Sequence, residues 1–146
     1  MSTFQNNKLI VKTADWNTDS AALRKIREEV FVEEQAVPIE LEWDDEDASA
    51  THFLAIAPAG QTVGCARLLT SGQIGRMAVL KPFRGQHVGE QLLKAAIAAA
   101  KIQNFSQVWL HAQVHALPFY EKYGFIAEGD IFDDAGIPHR HMRRDL

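Results

Sequence analysis

The residues whose types and spacing suggest chemistry are concentrated in one stretch, 72–101, reading GQIGRMAVLKPFRGQHVGEQLLKAAIAAAK. Its middle, 81–89, combines Pro82, Gly85 and Gly89 with two cations, Lys81 and Arg84. A short apolar run, 74–79, precedes it, and Leu92, Leu93, Ala96, Ile97 and Ala100 follow at helical spacing. A strand, a basic turn and a helix start make an anion site: the first-turn amides lack intrahelical partners, and the helix dipole attracts negative charge. The ligand expected at 84–89 is a phosphate or pyrophosphate. Glycines at this spacing also close a plain strand-to-helix turn, and the pattern alone does not separate the two readings. Neither G-x-x-x-x-G-K-[ST] nor G-x-G-x-x-G occurs, so the P-loop and the dinucleotide fingerprint are excluded.

Three other groups of residues raise chemical questions. The single cysteine, Cys65, lies in the apolar run VGCARLL and reads as a small core residue rather than a nucleophile. Six histidines raise the possibility of a metal, but no cysteine cluster or H-E-x-x-H accompanies them, and no metal is expected. His139 and His141 share a strand face and are expected on the acceptor side of a site or on a solvated strand. The segment 40–47 holds six carboxylates around Trp43. It reads either as a solvated loop or as a substrate-facing loop that attracts an amine.

The elements that must position these residues follow from periodicity. Residues 9–11 read as a strand, 15–19 as a polar break with capping residues, and 20–34 as a helix extending toward Pro38. Its buried face carries Leu23, Ile26, Val30 and Phe31, with Arg24, Lys25, Arg27, Glu28 and Glu29 mostly on the solvent side. Strands at 52–57 and 62–69 form a hairpin, followed by the strand, turn and helix of 72–101. A strand at 108–113, a short helix at 115–123 ended by Gly124, a strand beginning at 125–127, a turn at 133–136 and a strand at 139–143 complete the chain. This order predicts a mixed α/β (α+β) fold. At 146 residues the chain is one domain in size, spanning 1–146. With 47% hydrophobic and 23% charged residues it reads as an ordinary globular protein. The net charge of −4 argues against nucleic acid as a partner. No stretch has transmembrane length, MSTFQNNK is no signal peptide, and one cysteine fits a reducing cytoplasm.

Met77-Ala78-Val79, then RGQHVG at 84–89, then an alanine-rich helix resembles the acetyl-CoA motif of the GNAT (GCN5-related) N-acetyltransferase superfamily, [QR]-x-x-G-x-[GA] after a bulged strand. Arg84 matches the first position and Gly89 the last. His87 stands where the middle glycine usually sits, which implies a turn that tolerates a Cβ. The segment 112–125, AQVHALPFYEKYGF, is similar to the family's second signature. VFVEEQ at 30–35, with Glu42, Asp44, Asp47 and His52, and GIPH at 136–139 with Met142, resemble the ElaA/YjcF-like branch. The resemblance implies a sheet of about six to seven strands flanked by about four helices. It also implies acetyl transfer from acetyl-CoA to a primary amine of a small molecule or peptide by direct attack.

The resemblance further assigns roles. The amides of Gln86, His87, Val88 and Gly89, with Arg84, Gly85 and Glu90, hold the CoA pyrophosphate. Backbone groups of Met77, Ala78 and Val79 meet the pantetheine arm and polarise the thioester carbonyl. Tyr120 donates a proton to the leaving thiolate, Phe119 and Lys122 flank the CoA, and Gln113 is placed to hydrogen-bond the pantetheine. An ammonium must lose its proton before attack, and Glu34, Glu42, Asp44, His52 and His111 are the candidate bases, with Glu34, Asp44 and His111 foremost. His111 and Gln113 share a face with Trp109, while Leu110 takes the other. A homodimer is compatible with the family. A non-catalytic acyl-CoA sensor on the same fold is the alternative, and an acyl-homoserine-lactone synthase is a distant third.

Overall fold

The computed structural model describes residues 8–146, so the N-terminal segment expected not to be a signal peptide lies outside the described residues. Strand β1 (Ile10–Ala14) leads into helix α1 (Trp16–Arg27), which continues as a π-helical stretch, Glu28–Glu34. A four-residue helix α2 (Ile39–Glu42) and a helical turn (Asp47–Ser49) precede strands β2 (Thr51–Ile56), β3 (Thr62–Leu68) and β4 (Ile74–Val79). Helix α3 (Val88–Ile102), strand β5 (Gln107–Gln113), helix α4 (Leu117–Glu121) and strands β6 (Ile126–Asp134) and β7 (Ile137–Asp145) follow.

The first helix starts earlier than apolar spacing predicts because Asp15 caps it, its carboxylate accepting from the Asn17 amide at 2.8 Å. The last hairpin is longer than expected. Ala135 and Gly136 both take positive φ, 53° and 81°, the geometry that a two-residue turn between right-twisted strands requires.

The seven strands form two antiparallel blocks, β1-β2-β3-β4 and β5-β7-β6. They meet through a parallel bridge, Gln73 to Trp109, where the Trp109 amide donates to Gly72 O at 3.1 Å. Beyond that bridge β4 and β5 carry no ladder, and the blocks splay apart into a V.

Both faces of the first block are covered, which is why β2 and β3 read as nearly continuous apolar runs rather than alternating ones. Phe53, Val63 and Leu68 pack with Leu92, Leu93, Ala96 and Ala100 of α3. Leu54, Cys65 and Ala78 pack on the other face with Leu23, Ile26 and Val30 of α1. The approach of α3 is close at Gly64, where an added Cβ would lie 3.0 Å from Leu92 Cδ1. The Cys65 thiol, pushed up to about 12 by burial, donates to Arg76 O at 3.2 Å, as befits a core residue.

The candidate active site

The site begins at an irregularity in β4. Cys65 pairs with Ala78, but Arg67 pairs with Gly75, so β4 holds one residue more than β3 over that interval. Arg76 sits in the bulge at φ 48°, a left-handed conformation unusual for a branched polar side chain. The bulge turns the end of β4 away from β5 just where the two blocks part. A cavity of about 660 Å³ occupies the V. Met77, Ala78 and Val79 line one wall, Leu110, His111 and Gln113 the other, and Phe119 and Tyr120 close one side.

A second cavity of about 300 Å³ lies over the turn after β4, lined by Arg84, Gly85, His87, Val88, Gly89, Glu90 and Lys122. Val79, Arg84, Gly89 and Phe119 line both, so the two lie side by side. Gln86 is exposed beside it, its side chain donating to Pro82 O at 3.3 Å. The turn therefore brings the expected anion-site residues together at the N-terminus of a four-turn helix. His87 has room for its side chain, as its Cβ requires, but it lies at φ 65°. A glycine would adopt this conformation freely. Glu90 in the first turn of α3 is held near 2 by Lys94 at 2.9 Å, by Tyr123 and by His87 at 3.1 Å.

Tyr120 faces the larger cavity, its ring edge-on to Phe119 at 5.0 Å and Phe125 at 5.9 Å. Burial pushes its phenol up to about 12, so it is protonated throughout the neutral range. On the opposite wall His111 packs edge-on to Phe132 at 4.9 Å. Burial, then the neighbouring His141, hold His111 below the ordinary imidazole range. As expected, Trp109, His111 and Gln113 share one face of β5, and Val108, Leu110 and Ala112 are buried on the other.

The π-helical stretch straps the cleft from above. Arg84 donates from both terminal nitrogens to Glu34, at 2.6 and 2.7 Å, and from Nε to Val79 O at 2.9 Å. Gln113 donates to the Gln35 side chain at 2.9 Å. Two adjacent residues thus engage two polar groups expected to meet the CoA. Arg84 holds the Glu34 carboxyl below the usual range, so Glu34 is a poor proton acceptor here.

Asp44 lies off the cavity lining, and the acidic segment divides: Glu40, Asp45 and Glu46 are exposed, while Glu42, Asp44 and Asp47 turn inward onto three arginines. Arg27 donates to Glu42 and Asp47, both at 2.8 Å. Arg67 donates to Asp44 at 2.8 Å and Asp47 at 3.0 Å. Arg76 lies 2.9 Å from Glu42 and donates to Asp44 at 3.2 Å. Against the cost of their burial, these cations hold Asp44 and Asp47 below the carboxylate range. Arg27, expected on the solvent side, is only 1% exposed. Trp16 and Trp43 each lie against its guanidinium. The network ends at the bulge, where Arg76 also donates to Glu42 O at 3.0 Å, so Asp44 anchors β4 instead of facing an amine. His52 belongs to this region too. It is buried, stacked on Trp16 at 4.8 Å, with Nε2 2.7 Å from Asp47 O.

The sequence reading missed Arg76, Gln35 and Asp134 as cavity residues, whereas His139, expected on the acceptor side or on a solvated strand, lines the cavity. Alternation in 139–143 and the GIPH segment at 136–139 were the signals for His139. Among the described residues no three histidine, cysteine, aspartate or glutamate side chains converge as metal ligands do. No helix is long and apolar enough to cross a membrane among those residues.

The fold is shared with solved structures, among them an acyl-CoA N-acyltransferase. One from Pseudomonas aeruginosa superposes with a TM-score of 0.83 at 33% identity, covering 94% of this chain and 99% of that one. ElaA of Escherichia coli superposes with a TM-score of 0.83 at 29% identity, over 93% and 99% of the two chains. In sequence, the N-acetyltransferase YjcF of Bacillus subtilis (strain 168) is 39% identical over 124 residues, spanning 82% of this chain and 88% of YjcF. The family model for the acetyltransferase (GNAT) domain matches residues 13–146. The chain belongs to the GNAT acetyltransferase family, in the branch that includes YjcF and ElaA.

Proposed function

We propose that this acyltransferase moves an acetyl group from acetyl-CoA to a primary amine by direct attack within the β4–β5 cleft. The observation that supports this reading is the adjacency of the two cavities, one lined by Tyr120 and the other by the basic turn at α3, with four residues common to both. The pyrophosphate rests on the amides of Gln86 to Gly89 with Arg84, Gly85 and Lys122 beside it. The pantetheine lies along the open backbone of Met77, Ala78 and Val79, opposite Gln113. An amide at the bulged end of β4 polarises the thioester carbonyl.

The amine nitrogen attacks the carbonyl carbon, the carbon–sulfur bond breaks, and the thiolate takes a proton from Tyr120. A phenol raised by burial remains a donor at every neutral pH, and a thiolate released into the same low-dielectric wall is raised by the same effect. Cys65 shows how strongly burial acts on a thiol in this protein. The carboxylates Glu34 and Asp44 are occupied by arginines, which turns attention to the imidazoles of the β5–β7 wall, His111 and His139, as receivers of the ammonium proton. Release of free CoA thiol with a panel of primary amines tests the reading. Binding of acetyl-CoA with no release from any amine would favour the sensor alternative.

A further inference from the structure

We propose that His139 is the general base of the acceptor side, with Nε2 as the accepting atom; this rests on the amine-acetylation reading above. His139 is 9% exposed, and what remains exposed lines the same cavity as Tyr120. Its Nδ1 lies 2.7 Å from Ile137 O. A carbonyl oxygen only accepts, so Nδ1 carries the proton and the lone pair is on Nε2. No other described residue bonds Nε2. The ring is stacked on Phe132, 6.0 Å away at 25°, and its strand is registered against Gln113 on one side and Phe132 on the other. The tautomer and the ring plane are thus fixed before any substrate arrives.

The other candidates lack one or more of these properties. Glu34, Glu42 and Asp44 accept from arginines. His52 has its Nε2 committed to the Asp47 carbonyl and does not line the cavity. His111 lines the cavity, yet no hydrogen bond to a described residue sets its tautomer, and it is exposed. The titratable groups on elements packed against β7 are His111 on β5, His115 in the turn before α4, and Glu128, Asp130, Asp133 and Asp134 on β6. Along β7 itself stand Arg140, His141, Arg143, Arg144 and Asp145.

The proton balance closes. The acceptor ammonium gives one proton to Nε2, and the neutral amine forms the nitrogen–carbon bond as the carbon–sulfur bond breaks. Tyr120 protonates the thiolate and recovers its proton from the nitrogen of the newly formed amide, which still carries the extra one. His139 then releases the proton it took to water. One ammonium and one acetyl-CoA become one amide, one CoA thiol and one proton.

The test is His139→Asn, whose side-chain amide still donates to Ile137 O but offers no base. An alkylamine, protonated at pH 7, is compared with trifluoroethylamine, largely neutral there. For the variant, kcat/KM with the alkylamine is expected to fall by about 10²–10⁴-fold and to climb with pH as free amine accumulates. With trifluoroethylamine the fall is expected to be under about tenfold, and acetyl-CoA affinity by calorimetry is expected to be unchanged. Equal losses for both amines, or a wild-type profile in His139→Asn, overturns the assignment while leaving acetyl transfer intact. No thiol release by the wild-type protein with any amine overturns both.

Discussion

The turn at 81–89 and the network around Arg27, Arg67 and Arg76 are both charged, and they teach opposite lessons. In the turn, a cation and a helix N-terminus face an open cavity, and among the described residues Arg84 pairs with one exposed carboxylate, Glu34. In the network, three guanidiniums meet three carboxylates inside the protein and line up behind the bulge of β4. One arrangement leaves charge available to a ligand. The other consumes its charge internally to hold backbone in a left-handed conformation. A count of charged residues does not distinguish them; the burial of the pair does.

The largest expected effect tests the closed region. Removing Arg27 leaves Glu42 and Asp47 buried with an unmatched charge, and Arg27→Ala is expected to lose about 3–5 kcal/mol in urea unfolding. A loss below about 1 kcal/mol would mean the network is a solvated face after all. In the open region, Tyr120→Phe is expected to lower kcat by about 10²–10⁴-fold with acetyl-CoA affinity unchanged. Arg84→Ala is expected to weaken acetyl-CoA about tenfold by calorimetry, the loss of charged hydrogen bonds to phosphate.

Glu34→Gln should act in the opposite direction. It frees Arg84 from an exposed competitor, and acetyl-CoA is expected to bind up to about fivefold tighter. Weaker binding would instead make Glu34 a support for Arg84.

The smallest effect is a pH dependence of stability. Burial first, then Arg27 and Arg67, holds His52 below its unfolded value, so the folded state resists its protonation. Stability is expected to begin falling as pH drops through about 6.5, the unfolded histidine value. Asp44 and Asp47 are depressed, so their contribution is present above about 3.9, the unfolded aspartate value, and is lost as pH falls through their folded values. His52→Gln should remove the upper step of a thermal-melt series against pH and leave the lower one.

This contrast also explains what was readable from the sequence. The anion turn and the helix around Tyr120 lie in contiguous segments, where glycine, proline and apolar spacing act over a few residues. The order of elements along the chain followed from alternation and turn residues in the same way, but the β5-β7-β6 order of the second block did not. The network was not readable because Glu42 lies 15 positions from Arg27, and Asp44 lies 32 from Arg76. An arginine at position 27 is polar by type and was therefore assigned to solvent, yet aromatic faces and two carboxylates bury it. The π-helical stretch carries ordinary helix formers, and nothing in Glu28–Glu34 announces that Glu34 and Gln35 will reach across the cleft. The His139 tautomer is set by a carbonyl two residues away in a tight hairpin, which only coordinates reveal.

The central claim is that one channel carries acetyl-CoA from the α3 turn to Tyr120. A crystal structure of the complex with CoA tests it most directly. The account predicts the pyrophosphate against the amides of Gln86 to Gly89, Arg84 turned from Glu34 to phosphate, and the sulfur in hydrogen-bond contact with the Tyr120 hydroxyl. CoA bound outside the β4–β5 cleft, or a sulfur placed away from Tyr120, would contradict it.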